Sequence, residues 1–290
     1  MTQIEVGDLV FDAVQFGERD GEVTLLLHGF PQSSWCWRHV WPSLVEAGYR
    51  VVAPDQRGYS PGARPEGVAS YAMSELVGDV LGMLDSLGVE RAHVVGHDWG
   101  AAVAWQVAAR HPDRVRTLTA VSVPHPVAFS EALAHDEDQR TRSQYMRLFQ
   151  VEGKAEQVLL RPDASGVPDS GFRTFFGGAE AYADVDRYLA EMHEPGRLTA
   201  CLNWYRAASR ASVDDFPPVT VPTMYVWSDG DLALGRTAAE ATAAHVEGPY
   251  RFVELTGVTH WIPEQAPEAL ARAVLDRIAT GGSRVTAPPR

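Results

Sequence analysis

One aspartate in this chain stands where chemistry would put a nucleophile. In Gly96-His97-Asp98-Trp99-Gly100 a carboxylate lies midway between two glycines. The apolar run Ala92-His93-Val94-Val95 before it reads as a strand, and Ala101 to Arg110 after it reads as a helix stopped at Pro112. A strand-to-helix turn this sharp leaves no room for side chains at the flanking positions, and it lifts the central side chain clear of the sheet. The pattern is the G-x-S-x-G nucleophile elbow with aspartate in the place of serine. The neighbouring helix N-terminus favours an anion. On these five residues alone, a plain turn with Asp98 as helix cap competes with that reading. Two further segments weigh against the plain turn. His260 follows the predicted strand Tyr250 to Leu255, and Asp229 and Asp231 follow the predicted strand Thr223 to Trp227. Nucleophile, acid and histidine therefore come in chain order, each at the carboxyl end of a strand, where open α/β sheets place their ligands.

An aspartate nucleophile selects the reaction. A carboxylate with an ordinary pKa of about 3.9 is ionised at neutral pH and needs no base in order to attack. At an acyl carbon it would form an anhydride, with no advantage over a serine ester. At a saturated carbon with a strained or good leaving group it forms an alkyl ester, and epoxides and alkyl halides both qualify. A histidine that is not needed for the attack suits the second step, taking a proton from the water that hydrolyses the ester.

These positions demand a scaffold, and the rest of the chain supplies its pattern. Ile4 to Phe16 alternates apolar and polar residues, broken at Gly7-Asp8, and reads as a hairpin. Val23 to Leu27 is the continuous apolar run of a strand covered on both faces. A helix over Trp35 to Ala47, a strand over Tyr49 to Ala53, an amphipathic helix over Met73 to Leu87 and a strand over Val115 to Val123 complete the first half. Strands alternating with helices predict a mostly parallel sheet with right-handed crossovers. From about Pro124 to Pro217 the rhythm changes to helix-like segments and loops without a convincing buried strand. It resumes with the strand Thr223 to Trp227, a helix over Arg236 to Val246, the strand Tyr250 to Leu255 and a helix over Glu264 to Ala279. The expected fold is an α/β core over residues 1–124 and 216–290, interrupted by a helical insert at 125–215, with a flexible tail from about 280.

Composition narrows the classes without naming an activity. The 290 residues suit one core with an insert. Lys and Arg total 25 against 38 Asp and Glu, and the resulting net charge of −13 argues against partners made of nucleic acid or anionic membrane. Cys36 and Cys201 are too few for a disulfide framework or a Cys-rich zinc site, and they read as reduced thiols of a cytoplasmic protein. The start, Met1 to Val6, lacks the basic and apolar segments of a signal peptide. No stretch approaches the roughly 20 apolar residues of a membrane span. No spacing suggests a metal site or a phosphate loop, so the expectation is no cofactor, a small-molecule substrate, and a monomer or homodimer. Trp35, Trp37 and Trp41 read as the packed face of their helix.

The sequence resembles the α/β-hydrolase family, and within it the epoxide hydrolase branch. The resemblance runs from His28-Gly29-Phe30-Pro31-Gln32-Ser33-Ser34-Trp35, through Asp55-Gln56-Arg57-Gly58-Tyr59-Ser60, to the elbow at Asp98 and the loop at His260, and so covers both halves of the core. In the insert, Asn203-Trp204-Tyr205-Arg206 is similar to the cap segment that supplies one of two ring-opening tyrosines. Tyr145-Met146-Arg147-Leu148-Phe149-Gln150 is similar to the segment that supplies the other, with Tyr188 as its rival. The resemblance implies an α/β-hydrolase fold with a helical cap and an epoxide opened by Asp98. Tyr145 and Tyr205 would protonate the leaving oxygen, and His260 with Asp231 would hydrolyse the ester. Backbone N–H groups of Phe30 and Trp99 would form the oxyanion hole, and Trp99, Trp204 and Phe149 would touch the substrate.

Two departures stand out. The acid loop of the family usually reads strand–Gly–x–x–Asp, whereas here it is Trp227-Ser228-Asp229-Gly230-Asp231, with Ser228 in the glycine's place. Asp231 fits the spacing better than Asp229. The other departure is Gln56 and Pro61 in the Asp55 loop. Haloalkane dehalogenases share the aspartate nucleophile and pair the indole after it with a second Asn or Trp donor. Trp99 and Trp204 would fill those places, which makes halide displacement the alternative. A serine-type esterase lacks its serine at the elbow. A non-catalytic ligand-binding protein on the same fold is the remaining reading.

Overall fold

The continuous apolar runs become the inner strands of one sheet. A computed structural model of the chain describes residues 1–177, 184–208, 213 and 215–281. Its strands are β1 Thr2–Val6, β2 Leu9–Phe16, β3 Val23–Leu27, β4 Arg50–Pro54, β5 Ala92–His97, β6 Val115–Val121, β7 Thr223–Ser228 and β8 Tyr250–Leu255. They lie in the order β1-β2-β4-β3-β5-β6-β7-β8 in an eight-stranded sheet. The pairs β1–β2 and β2–β4 are antiparallel and the others parallel. Every residue of β3, β5 and β7 is buried, as parallel strands covered on both faces require.

The helices are α1 Trp41–Glu46, α2 Met73–Ser86, α3 Trp99–Arg110, α4 Pro126–His135, α5 Glu137–Arg142, α6 Gln144–Phe149, α7 Lys154–Leu160, α8 Ser170–Phe175, α9 Val185–Met192, α10 Arg197–Ala208, α11 Arg236–Ala241, α12 Ile262–Gln265 and α13 Pro267–Ala279. Alternate strand residues point to opposite faces. Leu26, Val51 and Val95 pack with Leu44 of α1 and Leu270 and Val274 of α13. Leu25, Val52 and Val94 pack with Leu76 of α2 and Val103 of α3 on the other face. Between Pro126 and Ala208 the described residues hold α4 to α10 and no strand.

Three expected helices are broken. Residues Ser34–Trp37 form a 3₁₀ turn and α1 starts only at Trp41, so the three tryptophans share no single helix face. The sequence reason is Pro42, which has no N–H to donate and is tolerated only in a first turn. Pro267 separates α12 from α13 in the same way. Past α11 the chain tightens into the 3₁₀ turn Thr242–His245, where the Thr242 hydroxyl donates back to the Ala238 carbonyl. The tail expected from about residue 280 lies, beyond Gly281, outside the described residues.

From β3 the chain crosses to β4 on one side, then returns to β5 on the other. The ends of β3 and β5 thus flank the crevice at a topological switch point, and ligands of open α/β sheets bind in such crevices.

Candidate active site

Asp98 lies in that crevice, between the end of β5 and the first turn of α3. Its backbone is held at φ 52 and ψ −122, which costs a residue with a side chain about 1–3 kcal/mol. The turn is too tight for anything but its glycines. A Cβ on Gly100 would stand 2.0 Å from the Leu27 carbonyl oxygen, and one on Gly96 would stand 2.2 Å from that of Gly100. Gly29, which sequence reasoning did not single out, belongs with them: a Cβ there would sit 2.3 Å from the Asp98 Cβ. The loop after β3 therefore lies flat against the carboxylate.

That loop supplies a donor. Phe30 N–H donates to Asp98 Oδ1 at 2.8 Å, and the nearby Trp99 N–H helps to keep the carboxyl ionised. Gln56 fixes the same loop, its side-chain amide donating to the His28 carbonyl and its backbone N–H to the His28 ring. On the other side Asp98 Oδ2 faces His260 Nε2 at 3.4 Å. His260 Nδ1 lies 2.8 Å from Asp231 Oδ2, and Asp231 Oδ1 accepts the N–H groups of Ala233 and Leu234 at 2.8 and 3.0 Å.

Burial alone would lower the pKa of His260. The charges of Asp231 and Asp98 outweigh it and push the imidazole up to about 10. Burial would likewise raise the Asp98 carboxyl, but the His260 bond and charge hold it below its ordinary value. Asp98 and His260 therefore form an ion pair before any substrate arrives.

The histidine loop is clipped to the acid loop. Ser228 Oγ donates to the Thr259 carbonyl at 2.9 Å, Gly230 N–H donates to the Val258 carbonyl at 3.2 Å, and Asp229 Oδ1 accepts the Gly257 N–H at 2.7 Å. The serine in the family's glycine position thus adds a bond between the loops, and Asp229 binds loop backbone while Asp231 meets the imidazole. His97 Nε2 and Ser122 Oγ both donate to the His260 carbonyl, at 2.9 and 3.0 Å. Burial lowers the His97 pKa to about 4, so this ring is neutral. No local pattern marks Ser122 or Gly29, since their partners lie far away in sequence.

A cavity of about 280 Å³ opens in front of Asp98, and Tyr145 of α6 and Tyr205 of α10 line it. Their rings meet edge to face with centroids 6.3 Å apart, and the Trp99 ring stands 4.9 Å from that of Tyr205. Burial pushes both phenols up, with the charge of Asp98 adding to it, so both carry their protons. Tyr188 is elsewhere, donating its hydroxyl to Glu264 Oε1 at 2.6 Å. Trp204 lines the cavity, yet its indole N–H is donated to the Arg57 carbonyl at 3.0 Å, so it is not the second halide donor expected for the alternative reaction. Phe149 also departs from expectation. It is absent from the cavity wall and packs behind it, with ring centroids 5.0 Å from Tyr205 and 5.5 Å from Phe30. Its place on the inner face of the short α6, one turn on from Tyr145, puts it in the aromatic core.

Among the described residues no group of three or more His, Cys, Asp and Glu side chains could hold a metal ion, and no helix is long and apolar enough to cross a membrane. A family model for the alpha/beta hydrolase fold matches residues 23–267. The AB hydrolase superfamily protein YfhM of Bacillus subtilis is 36% identical over 262 residues, covering 90% of this chain and 91% of that protein. Epoxide hydrolase A of Mycobacterium tuberculosis is 34% identical over 303 residues, covering 91% of this chain and 92% of that protein. A crystal structure of an epoxide hydrolase from Bacillus megaterium, bound to an inhibitor, superposes with a TM-score of 0.84 at 25% identity, covering 96% of this chain and 100% of that one. The chain belongs to the alpha/beta hydrolase fold family, in its epoxide hydrolase branch.

Proposed function

We propose that this protein is an epoxide hydrolase that converts an epoxide and water into a vicinal diol through an alkyl ester on Asp98. One observation carries the reading. A single carboxylate has one oxygen on a backbone donor and the other beside a histidine, and it shares a cavity with two protonated phenols. Phenols answer the specific need of an epoxide, whose oxygen leaves as an alkoxide and must be protonated. A halide leaves without a proton and needs N–H donors. Here the Trp204 N–H is already donated to the Arg57 carbonyl, which counts against halide displacement.

In the proposed first step Asp98 Oδ2 attacks a ring carbon, the C–O bond of the ring breaks, and a proton passes from Tyr205 or Tyr145 to the alkoxide. The remaining oxygen, Oδ1, becomes the ester carbonyl and already accepts the Phe30 N–H. Esterification cancels one of the two negative charges that raise the His260 pKa, so the imidazole releases its extra proton more readily. That proton restores the phenol, and the neutral imidazole then takes one from water. The resulting hydroxide attacks the carbonyl carbon. Negative charge collects on Oδ1 against the Phe30 and Trp99 N–H groups. Collapse breaks the acyl C–Oδ2 bond as the His260 imidazolium gives its proton to the leaving alkoxide. The proton of the new carboxylic acid returns to His260, releasing the diol and restoring the ion pair. Asp231 would orient the ring and stabilise the imidazolium. Helices α4 to α10 would act as the cap over the nucleophile. The buried free thiols of Cys36 and Cys201 fit a reducing, cytoplasmic setting.

The test is a panel of epoxides and haloalkanes scored for diol and for halide, with His260→Gln as the trapping variant. Wild type should give diol without halide from the matched haloalkane. His260→Gln should gain, by intact mass, one epoxide per chain. Absence of any adduct with reactive epoxides, or halide release in place of diol, would sink the reading.

A further inference from the structure

The cavity is one-sided. From α3 it takes Trp99, Ala102 and Gln106, residues three and four apart on one face of the helix. From Asp98 to Gln106 the helix rises eight residues, roughly 12 Å at about 1.5 Å each. Phe129, Ser130 and Leu133 of α4 line the cavity with them. On the other flank of the carboxylate, beyond Phe30 and His260, the space is filled. Phe175 packs 5.9 Å from Phe30, 5.3 Å from Tyr145 and 6.3 Å from Trp261. Phe176 packs 4.7 Å from Trp261, whose ring stands 5.0 Å from that of His260. Phe30, Phe175, Phe176 and Trp261 do not line the cavity.

We infer that the site takes epoxides bearing a single elongated apolar substituent, up to roughly 12 Å long, laid along α3, and rejects epoxides with bulky groups on both ring carbons. This rests on the epoxide hydrolase reading. With Asp98 Oδ2 aimed at one ring carbon and the phenols at the oxygen, a chain on the nearer carbon or the farther one can enter the α3 channel. A second chain on the other carbon would have to occupy the space of Phe175. Rejection by a filled volume is negative selection, independent of how well the first chain binds.

The test compares two isomers of equal composition and nearly equal hydrophobicity, 1,2-epoxydecane and trans-5,6-epoxydecane. Because an unhindered terminal carbon is intrinsically easier to attack, the response of their ratio to Phe175→Ala decides it. Wild type should favour the terminal isomer in kcat/KM by about a hundredfold. A ratio below about tenfold overturns the inference while leaving the epoxide hydrolase reading intact. No diol from either isomer or from styrene oxide overturns both. Phe175→Ala should narrow the isomer ratio by about tenfold, by opening the second flank. Ala102→Phe, which fills the channel, should lower kcat/KM for 1,2-epoxydecane about tenfold more than for 1,2-epoxybutane. If Ala102→Phe spares the long chain, or a folded Phe175→Ala leaves the isomer ratio unmoved, the channel assignment is wrong.

Discussion

The two sides of the Asp98 cavity are held by different forces. On the sheet side, hydrogen bonds to backbone place the polar groups: Asp98 on the Phe30 N–H, Asp231 on the Ala233 and Leu234 N–H groups, and His97 and Ser122 on the His260 carbonyl. On the helical side, Tyr145 and Tyr205 are located by ring faces, with Tyr205 packed 4.9 Å from Trp99 and 5.5 Å from Phe30. Hydrogen bonds are directional and fix an atom to within a few tenths of an ångström, whereas aromatic contacts fix a volume. In the proposed reaction, the half that would form and break bonds to carbon is thus held by backbone. The half that would meet the substrate's shape is held by side chains, which can be exchanged without moving the sheet.

Removing a member from each side should separate them. Asp98→Ala should lower turnover by about four orders of magnitude or more, with substrate binding retained, as measured by single-turnover kinetics and equilibrium binding. Tyr205→Phe and Tyr145→Phe should each cost about a hundredfold or less in the alkylation rate, because both phenols line the same cavity and one can stand in for the other. The double variant should lose more than the product of the two, and a merely multiplicative loss would mean the phenols do not back each other.

The polar half should also titrate where the aromatic half does not. His260 is raised from 6.5 to about 10. A base whose pKa rises on folding lends stability that is complete below its unfolded pKa and disappears as pH climbs through the folded one. Tm should therefore fall between pH 6.5 and about 10, and less steeply in Asp98→Ala, which keeps only one of the two carboxylates. Equal slopes would mean that Asp231 alone holds the proton. The smallest effect belongs to Tyr188→Phe. It should cost about 1 kcal/mol of stability from the lost bond to Glu264 and leave kcat within about twofold.

How legible each half was follows from the same contrast. The elbow could be read because steric demand writes itself into sequence as glycines at fixed spacing, and chain order put Asp231 and His260 at strand ends. The strands were legible because burial on both faces gives unbroken apolar runs. Gly29, Ser122 and the clips from Ser228 and Asp229 were not, because they act across loops whose closeness only the folded sheet creates. Phe149 was misplaced for a related reason. A short helix such as α6 carries too few turns for periodicity to say which side faces a cavity and which faces other aromatics. The split helices were written in Pro42 and Pro267, and the helical pattern on either side of them masked the break.

The Phe30 N–H on Asp98 Oδ1 makes the two oxygens of one carboxylate chemically unequal. In the proposed cycle Oδ2 leaves with each diol and is replaced from water, while Oδ1 stays in the protein. The oxygen delivered to any product would then be the one taken from solvent in the turnover before. In heavy-oxygen water the first diol would emerge unlabelled and all later ones labelled. The nucleophile itself would settle at a single heavy atom, acquiring a second only as fast as the carboxylate rotates in its cradle.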